Sequence, residues 1–327
     1  EPGVGLALGI ALRRISGPSG GHLDLDLFTA QVGASGPVAV AGGRTAWEVG
    51  GSLAPGTRLV TAPTGVVEHQ PAEMTVRVGA GTTVAELDDV LAESGQCVVL
   101  PTVPGATVGG VLAVGRSGTR RLGWGPVRDA VLEIRYVGAE GALVTAGGPM
   151  IKNVSGFDLC RLLVGSLGTL GLIGEVVLRT RPIPEEERWL TGPVDPALTL
   201  DELATAVTVF WDGATTWVRL SGLAADVRAE SGRATALGLG PCDRPPEPPR
   251  GGRWSLPPAE LASLPGRLPE LRFLSEMGVW IVHADAPAPA RPVAPEVATL
   301  HRRIKDAFDP GGRLTPGRDP LTAEGAG

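Results

Sequence analysis

This chain of 327 residues has few cysteines and histidines, the side chains that usually hold zinc ions and iron–sulfur clusters. The three cysteines are far apart, form no CxxC pair, and are Cys97, Cys160 and Cys242. The four histidines form no HxH or HxxxH pair and are His22, His69, His283 and His301. A zinc site or an iron–sulfur cluster held by this chain alone is therefore disfavoured, so we expect no metal site. The odd number and wide spacing of the cysteines predict reduced thiols in the cytoplasm.

The chain also lacks a basic stripe and a long apolar run. Its formal net charge is -6 and its pI is about 5.4, which argues against nucleic-acid binding. Residues 4–12 are apolar, but a bilayer span needs about 20 such residues, and no basic stretch precedes them. We expect a cytoplasmic protein that associates with a membrane at most peripherally, at its inner face, through partner proteins.

Lysine is nearly absent, whereas glycine is abundant. The only lysines are Lys152 and Lys305, so almost every other basic side chain is arginine. Glycine accounts for 48 of the 327 residues, about twice the usual share of roughly 7%. A short glycine motif therefore carries little information by itself, and only an ordered set of glycine loops in the right context does.

Three glycine-rich loops form such a set. Residues 42–45 (GGRT) follow a predicted strand at 38–41, and the other two loops lie at 105–110 and 165–171. Glycine allows close backbone approach, so consecutive N–H groups can point at phosphate oxygens. The sequence has no Walker A motif, and no GxGxxG opens a βαβ unit near its start. The loops thus favour a nucleotide site that is neither a P-loop nor a Rossmann site.

Periodicity predicts the elements around these loops. Thr83 and Glu86 form a capping box for a helix that Gly95 ends. Further strands are predicted at 75–78, 98–100, 131–137, 142–145, 172–179, 216–220 and 279–283. Helices are predicted at 159–164, 201–209 and 296–308. Residues 241–258 contain seven prolines and are predicted to form a loop or linker. The last helix is expected to turn Val297, Leu300, Ile304 and Phe308 inward and to stop at Asp309.

Six segments, taken in order, are similar to one family of flavoproteins. They are AGGRT (41–45), VRVGAGTTVAELDDVLAESGQ (76–96), PGATVGG (104–110), RRLGWGPVRDAVLEIRYV (120–137), KNVSGFDLCRLLVGSLGTLG (152–171) and FDPGGRLTPGR (308–318). They resemble the PCMH-type flavin domain of the vanillyl-alcohol oxidase/p-cresol methylhydroxylase superfamily. Within it, they are most similar to the FAD-binding E subunits of bacterial glycolate oxidases.

This resemblance implies an α+β fold. A two-lobed FAD-binding domain at residues 1–189, with FAD between the lobes, would precede a small α/β cap at 190–299. Residues 300–327 would form a helix and a tail that return to the FAD-binding domain.

The resemblance also implies that FAD is bound without a covalent bond. Some members of the superfamily attach FAD through the histidine of a GGH motif. Here the GGH motif that ends at His22 lies too far upstream, and AGGRT takes the position of the pyrophosphate loop.

The FAD-binding residues that the resemblance implies come from four places. Gly42, Gly43, Arg44 and Thr45 would cradle the pyrophosphate, together with Pro101, Gly105, Ala106, Thr107, Gly109 and Gly110. Ser117 and Gly118 would lie near the isoalloxazine ring, and Gly168, Gly171 and Ile173 beside the adenosine half.

The candidate catalytic residues each have two interpretations. Arg120 and Arg121 would offset the charge of reduced flavin or bind an anionic substrate, or they lie on a solvated loop. Lys152, next to Asn153, would favour the reduced flavin anion, or it pairs with a carboxylate. For Asp158, a helix cap is the favoured role.

By this resemblance the chain would be an FAD-binding subunit of a 2-hydroxyacid (glycolate-type) oxidoreductase complex. Its partners would be a larger catalytic flavoprotein subunit and an iron–sulfur subunit, and its substrate a small 2-hydroxyacid. Two alternatives stay open: a self-sufficient FAD oxidase or dehydrogenase of a small alcohol, sugar or secondary metabolite, and a non-catalytic scaffold subunit.

Overall fold

The computed structural model describes residues 24–148, 159–289 and 292–322. Within these ranges the helices are α1 (Leu25–Val32), α2 (Val84–Ala92), α3 (Val108–Val114), α4 (Arg121–Trp124), α5 (Leu159–Leu163), α6 (Pro196–Glu202), α7 (Ala224–Leu237), α8 (Pro258–Arg267) and α9 (Pro295–Phe308). The strands of the first half are β1 (Val38–Val40), β2 (Arg58–Val60), β3 (Val66–Gln70), β4 (Thr75–Gly79), β5 (Gln96–Cys97), β6 (Val131–Val137), β7 (Leu143–Gly147), β8 (Leu172–Arg179) and β9 (Arg181–Pro182). Those of the second half are β10 (Glu186–Gly192), β11 (Ala206–Trp211), β12 (Thr216–Gly222), β13 (Gly240–Pro241), β14 (Gly252–Ser255), β15 (Phe273–Glu276) and β16 (Ile281–Ala284).

A small first lobe combines the beginning and the end of the described chain. β1 pairs in parallel with β2, and α1 lies beside them. The C-terminal tail adds to β1, because Val38 N donates to Arg313 O and Thr315 N donates to Val38 O. Residues far apart in sequence therefore complete one unit.

The second lobe is built on a five-stranded antiparallel sheet in the order β3-β4-β8-β6-β7. The predicted capping box begins α2: Glu86 N donates to Thr83 Oγ1, and Thr83 N donates to Glu86 Oε2. β8 is buried over almost its whole length, as its continuous apolar run predicts. One hydrophobic core joins both lobes and includes Val38 from the first lobe and Leu178 from the second.

The cap contains a second hydrophobic core. Its seven-stranded sheet has the order β13-β10-β12-β11-β15-β16-β14, with antiparallel pairing throughout. Residues of α7 and α8, such as Val227 and Leu261, pack in this core with Val209 and Val282 of the sheet. The α+β class is confirmed, whereas the boundaries at residues 189 and 299 stay a prediction.

Three predicted elements are wrong or displaced. Residues 201–209 do not form one helix: α6 begins after the N-cap Asp195 with Pro196 and ends at Glu202. The β-branched and aromatic run that follows forms β11, because such side chains favour a pleated sheet. The strand expected at 98–100 is instead the short β5, and the predicted loop at 241–258 contains β14.

The last helix turns only part of its apolar side inward. Ile304 and Phe308 pack against the core that joins the lobes, as expected. Val297 and Leu300 are instead 44% and 54% exposed. The helix ends at Asp309, as the sequence predicts.

Asp309 fixes the turn between α9 and the tail. Its side chain is buried and pairs with the ammonium group of Lys305. The same carboxylate accepts the N–H groups of Arg313 and Leu314 at 3.0 and 2.8 Å. Lys305 also donates to Thr169 O at 2.7 Å. This lysine therefore links α9, the tail and the third glycine loop.

We predict that Lys305→Met lowers the free energy of unfolding by about 3 kcal/mol, because it leaves the buried Asp309 carboxylate without its cation. Arg303→Met, on the exposed side of the same helix, should change it by less than about 0.5 kcal/mol. Urea unfolding followed by circular dichroism measures both values. Equal losses in the two variants would contradict the prediction.

Candidate functional site

The three glycine loops meet around a cavity of about 370 Å³ between the two lobes. Small-molecule sites usually occupy roughly 300–1,000 Å³. Nine of the predicted FAD-binding residues line it: Gly42, Gly43, Gly105, Thr107, Gly109, Gly110, Gly168, Gly171 and Ile173. A cavity of about 100 Å³ shares Gly42 and Gly43 with the first and is also lined by Arg44, Thr45, Trp47 and Arg318.

Four other predicted residues line neither cavity. Ala106 is buried, and Ser117 Oγ accepts a hydrogen bond from Val127 N at 3.2 Å. A Cβ on Gly118 would lie 3.3 Å from Pro101 Cβ, so these two residues pack against each other. Their contact with FAD stays a prediction.

The first loop leaves consecutive backbone N–H groups available to a ligand. Residues 42–45 are exposed, and among the residues that the structure describes, none of their N–H groups donates to a carbonyl or a side chain. Arg44 has a φ of 55°, a left-handed conformation that non-glycine residues rarely adopt. A row of open amides that includes a left-handed residue can form an anion-binding nest.

The second loop uses its N–H groups within the protein. Thr107 caps α3, because its Oγ1 accepts the N–H of Gly110 at 3.2 Å. Val108 N donates to Thr82 O at 2.8 Å, and Gly109 N donates to Ala80 O at 2.8 Å. The expectation that this loop points consecutive amides at a phosphate therefore does not hold. Its glycines allow α3 to approach β4 instead, since a Cβ on Gly109 would lie 2.7 Å from Ala80 Cβ.

The third loop is fastened to α3. Gly165 N donates to Leu112 O at 2.9 Å, and Leu167 N donates to Ala113 O at 2.8 Å. Leu167 has a φ of 55° and lines both cavities. Thr315 of the tail also lines both, with a φ of 46°, and its hydroxyl donates to Gly168 O at 3.0 Å. Left-handed non-glycine residues that surrounding contacts hold in place occur often at binding sites.

Two loops approach each other so closely that they need glycine. A Cβ on Gly43 would lie 1.6 Å from Gly105 O, and a Cβ on Gly42 would lie 2.4 Å from Thr107 Oγ1. Both distances are far below a van der Waals contact. The first and second lobes therefore meet through backbone at the edge of the larger cavity.

The smaller cavity has a positively charged wall. The guanidinium carbons of Arg44 and Arg318 lie 5.0 and 5.1 Å from the ring centre of Trp47. Arg318 also donates to Val49 O at 2.6 Å, and its partial burial lowers the pKa of its guanidinium despite the nearby Glu48. Cation–π stacking and this hydrogen bond hold two cations beside the open amides.

Arg120 lies away from both cavities, at the boundary between the second lobe and the cap. Its guanidinium stacks on Trp124 at 4.4 Å and pairs with Glu187 of β10 at 3.2 Å. Burial and the neighbouring Arg219 lower the pKa of Arg120. Arg121 is the first residue of α4. The loop is thus partly buried and paired rather than simply solvated, while any contact with flavin or substrate stays a prediction.

Some predicted residues lie outside the described part of the chain. These are Lys152, Asn153, Asp158 and His22. Their predicted roles stay predictions.

Sequence reasoning missed several residues of the cavities. Thr61, Ala62 and Thr64 follow β2, and Ala80 and Gly81 follow β4. The hydroxyls of Thr45, Thr61 and Thr64 have no partner in the described part of the chain, so they can bind a polar ligand. Thr315 and Arg318 lie in the FDPGGRLTPGR segment, so that motif was a usable signal.

These residues fit FAD, a long ligand with an anionic centre and apolar ring systems. The open amides and two arginines suit its pyrophosphate, whereas the larger cavity is lined mostly by Ala, Gly, Val, Leu and Thr. Within the described ranges, no three His, Cys, Asp or Glu residues cluster as a metal site would require. No described helix is long and apolar enough to cross a membrane.

Comparison with known sequences gives matches to flavin proteins. The family model described as "FAD binding domain" matches residues 30–147. The chain is 31% identical over 206 residues to glycolate oxidase subunit GlcE of Escherichia coli (strain K12), covering 59% of this chain and 58% of that protein. It is 39% identical over 132 residues to a D-lactate dehydrogenase of Archaeoglobus fulgidus, covering 39% of this chain and 29% of that protein. The chain thus spans less than two thirds of these relatives.

Comparison with solved structures finds proteins whose fold resembles that of this chain. Alkyldihydroxyacetonephosphate synthase matches with a TM-score of 0.63 at 14% identity, covering 86% of this chain and 71% of that one. The grass pollen allergen Phl p 4, described as having glucose dehydrogenase activity, matches with a TM-score of 0.52 at 19% identity, covering 67% of this chain and 49% of that one. At such low identity these matches show a shared fold alone.

We predict that Gly43→Ala separates the two loops, because its Cβ would overlap Gly105 O. The expected loss of stability is about 1–3 kcal/mol, as for other overpacked contacts. Gly232→Ala is the matched control, since its Cβ meets open space within α7 and should raise stability by about 0.5–1 kcal/mol. Thermal unfolding of both variants measures the difference, and a neutral Gly43→Ala would refute the close contact.

Proposed function

Because residues 30–147 of this chain match the family of FAD binding domains, we propose that it is the FAD-binding subunit of a glycolate-type 2-hydroxyacid oxidoreductase. It binds FAD without a covalent bond and takes part in substrate oxidation or electron transfer. A larger catalytic flavoprotein subunit and an iron–sulfur subunit complete the proposed complex. The similarity to a glycolate oxidase subunit and a D-lactate dehydrogenase supports this proposal.

The observation that carries the proposal is the row of open amides at residues 42–45 beside Arg44 and Arg318. These groups would hold the FAD pyrophosphate, because charge-assisted hydrogen bonds to phosphate are strong. The apolar lining of the larger cavity would take up a ring system of the cofactor and exclude water from it. Bound FAD supplies the capacity to accept two electrons from a substrate.

Non-covalent binding is supported by the residues around the cavities. Covalent flavin attachment needs a nucleophilic side chain such as histidine, cysteine or tyrosine. None of these residue types lines either cavity within the described part of the chain.

A flavin release experiment tests FAD binding and its mode together. The purified chain is incubated with FAD, desalted, and precipitated with acid. We expect about one flavin per chain before precipitation and all of it in the supernatant afterwards. Protein that folds but retains no flavin would end the proposal, whereas flavin in the pellet would end only the non-covalent mode.

Arg44→Met tests the anion site more locally. Loss of one arginine–phosphate bond of about 1.4 kcal/mol should weaken FAD binding about tenfold. Arg303→Met is the control and should leave the dissociation constant unchanged. Quenching of flavin fluorescence measures both constants, and equal affinities would exclude Arg44 from the site.

The cap favours a second candidate, a self-sufficient dehydrogenase. Its seven-stranded sheet lies against the second lobe, and Thr208 Oγ1 donates to Thr119 O at 2.9 Å. A substrate could therefore be enclosed without another subunit. Anaerobic bleaching of the bound flavin by glycolate or D-lactate, in the absence of any partner, would favour this candidate. Bleaching only with the partner subunits present would favour the complex.

A further inference from the structure

One side of the cap sheet faces the second lobe, and we call it the cap face. Cross-strand partners lie on the same side of a sheet, and the side alternates along each strand. Three cross-strand pairs define the cap face: Thr208 with Arg219, Phe210 with Glu276, and Arg253 with His283. Glu187 lies on the same face, because it is two residues from Trp189, the partner of Arg219 on β10. The residues between them, including Val209, Val218 and Val282, lie in the cap core.

A loop of the second lobe crosses the cap face. Residues 115–120 follow α3, whose Ala113 lines both cavities. Arg120 pairs with Glu187 on β10, and Thr119 O accepts the Thr208 hydroxyl on β11. At the other end of the loop, burial and, to a smaller extent, the positive charge of Arg253 on β14 lower the pKa of Arg116. The loop thus runs from the cavities across the sheet.

A histidine–carboxylate pair lies on the strands between these contacts. His283 is on β16 and Glu276 on β15, and both strands lie between β11 and β14 in the sheet. His283 Nε2 is 2.6 Å from Glu276 Oε1, and Glu276 is only 5% exposed. Arg253 is the cross-strand neighbour of His283 on the same face. The pair is therefore close to a cation and to the loop that leads from the cavities.

The two ring nitrogens of His283 have different surroundings. Nε2 lies 2.6 Å from the buried carboxylate, and in the neutral tautomer in which Nε2 donates to it the lone pair is on Nδ1. Among the residues that the structure describes, none is hydrogen-bonded to Nδ1, and the side chain is 18% exposed. A histidine oriented by a carboxylate, with its other nitrogen open, has the arrangement of a general base.

We propose that His283 is the proton acceptor for a 2-hydroxyacid bound between the cap face and residues 115–120. The proposal rests on the proposed function and adds a catalytic residue that neither the sequence motifs nor the comparisons assign. Glu276 is the positioning residue.

The proposed step balances as a two-electron oxidation. The substrate hydroxyl gives its proton to His283 Nδ1. Bound FAD would be the two-electron oxidant and would accept the hydrogen of the carbon that bears the hydroxyl, with its bonding electron pair. The alcohol would thereby become a carbonyl, and the imidazolium of His283 returns its proton to solvent.

A purely structural role is the competing explanation, since a cross-strand ion pair also stabilises a sheet. The variants His283→Gln and Glu276→Gln distinguish the two roles, because glutamine keeps a polar side chain at each position. His69→Gln is the control: His69 is also partly buried, and its Nε2 is 3.0 Å from Gln96 Oε1 in the second lobe.

The experiment uses the FAD-loaded chain, together with its partner subunits if they copurify. Fluorescence gives the FAD dissociation constant, and the flavin spectrum gives the affinity for oxalate, a non-reacting mimic of the substrate. Stopped-flow spectroscopy then gives the rate of anaerobic flavin reduction by glycolate and by D-lactate from pH 5 to 9.

For His283→Gln we expect both affinities to stay within about threefold of wild type. Flavin reduction should fall at least about 100-fold, since general base catalysis contributes roughly 10²–10⁴. The dependence of the rate on pH should differ between wild type and His283→Gln, although Glu276, Arg253 and Arg116 near the site are unchanged. His69→Gln should keep both rate and profile.

A His283→Gln chain that reduces its flavin at a rate near wild type would overturn the proposal. If His283→Gln loses affinity for FAD or oxalate, the test depends on Glu276→Gln. We expect Glu276→Gln to slow flavin reduction at least tenfold. A wild-type rate and pH profile in Glu276→Gln would also overturn the proposal. If no hydroxyacid reduces the flavin of the wild-type chain, this role fails, whereas the proposed FAD-binding function is tested separately by the flavin release experiment. That outcome is distinct, because wild type and variants then behave alike.

Discussion

The backbone contact between Gly43 and Gly105 is the constraint on which the site depends. Each residue comes from a different lobe, and the space between them cannot hold even a methyl group. Since both lobes share one hydrophobic core, a change in this contact cannot be absorbed by movement of one lobe alone. The cavity therefore has a shape set by main-chain atoms, which vary less in position than side chains do.

The three glycine loops look alike in sequence, yet they act differently. The first keeps its amides open, and the second and third use theirs to hold α3 against the neighbouring strand and loop. This division is physically sensible, because an anion needs one concave row of donors and a rigid support behind it. If the amides of all three loops were open, the wall of the cavity would lose the backbone hydrogen bonds that hold it in place.

Local patterns predicted much of the fold. The capping box of Thr83 and Glu86 and the apolar run of β8 depend on neighbours in sequence, and both predictions were correct. Residues 201–209 show the limit, because the apolar spacing that suggested a helix belongs to the buried β11. The pocket roles of Thr315 and Arg318 could not be read locally, since they depend on pairing with residues near 38 and 47. The residues of the cap face could not be predicted from the sequence either, because they are brought together by the register of strands that are far apart in the chain.

The return of the tail to β1 has a consequence for how the protein is made. Val38 is translated before its partners Arg313 and Thr315, which follow the second lobe and the entire cap. Domains commonly fold in the order of their synthesis, but the first lobe must wait for residues that arrive much later. Until then the edge of β1 lacks the backbone hydrogen bonds that Arg313 and Thr315 supply. The nucleotide cavity is accordingly among the last parts of the molecule to be completed.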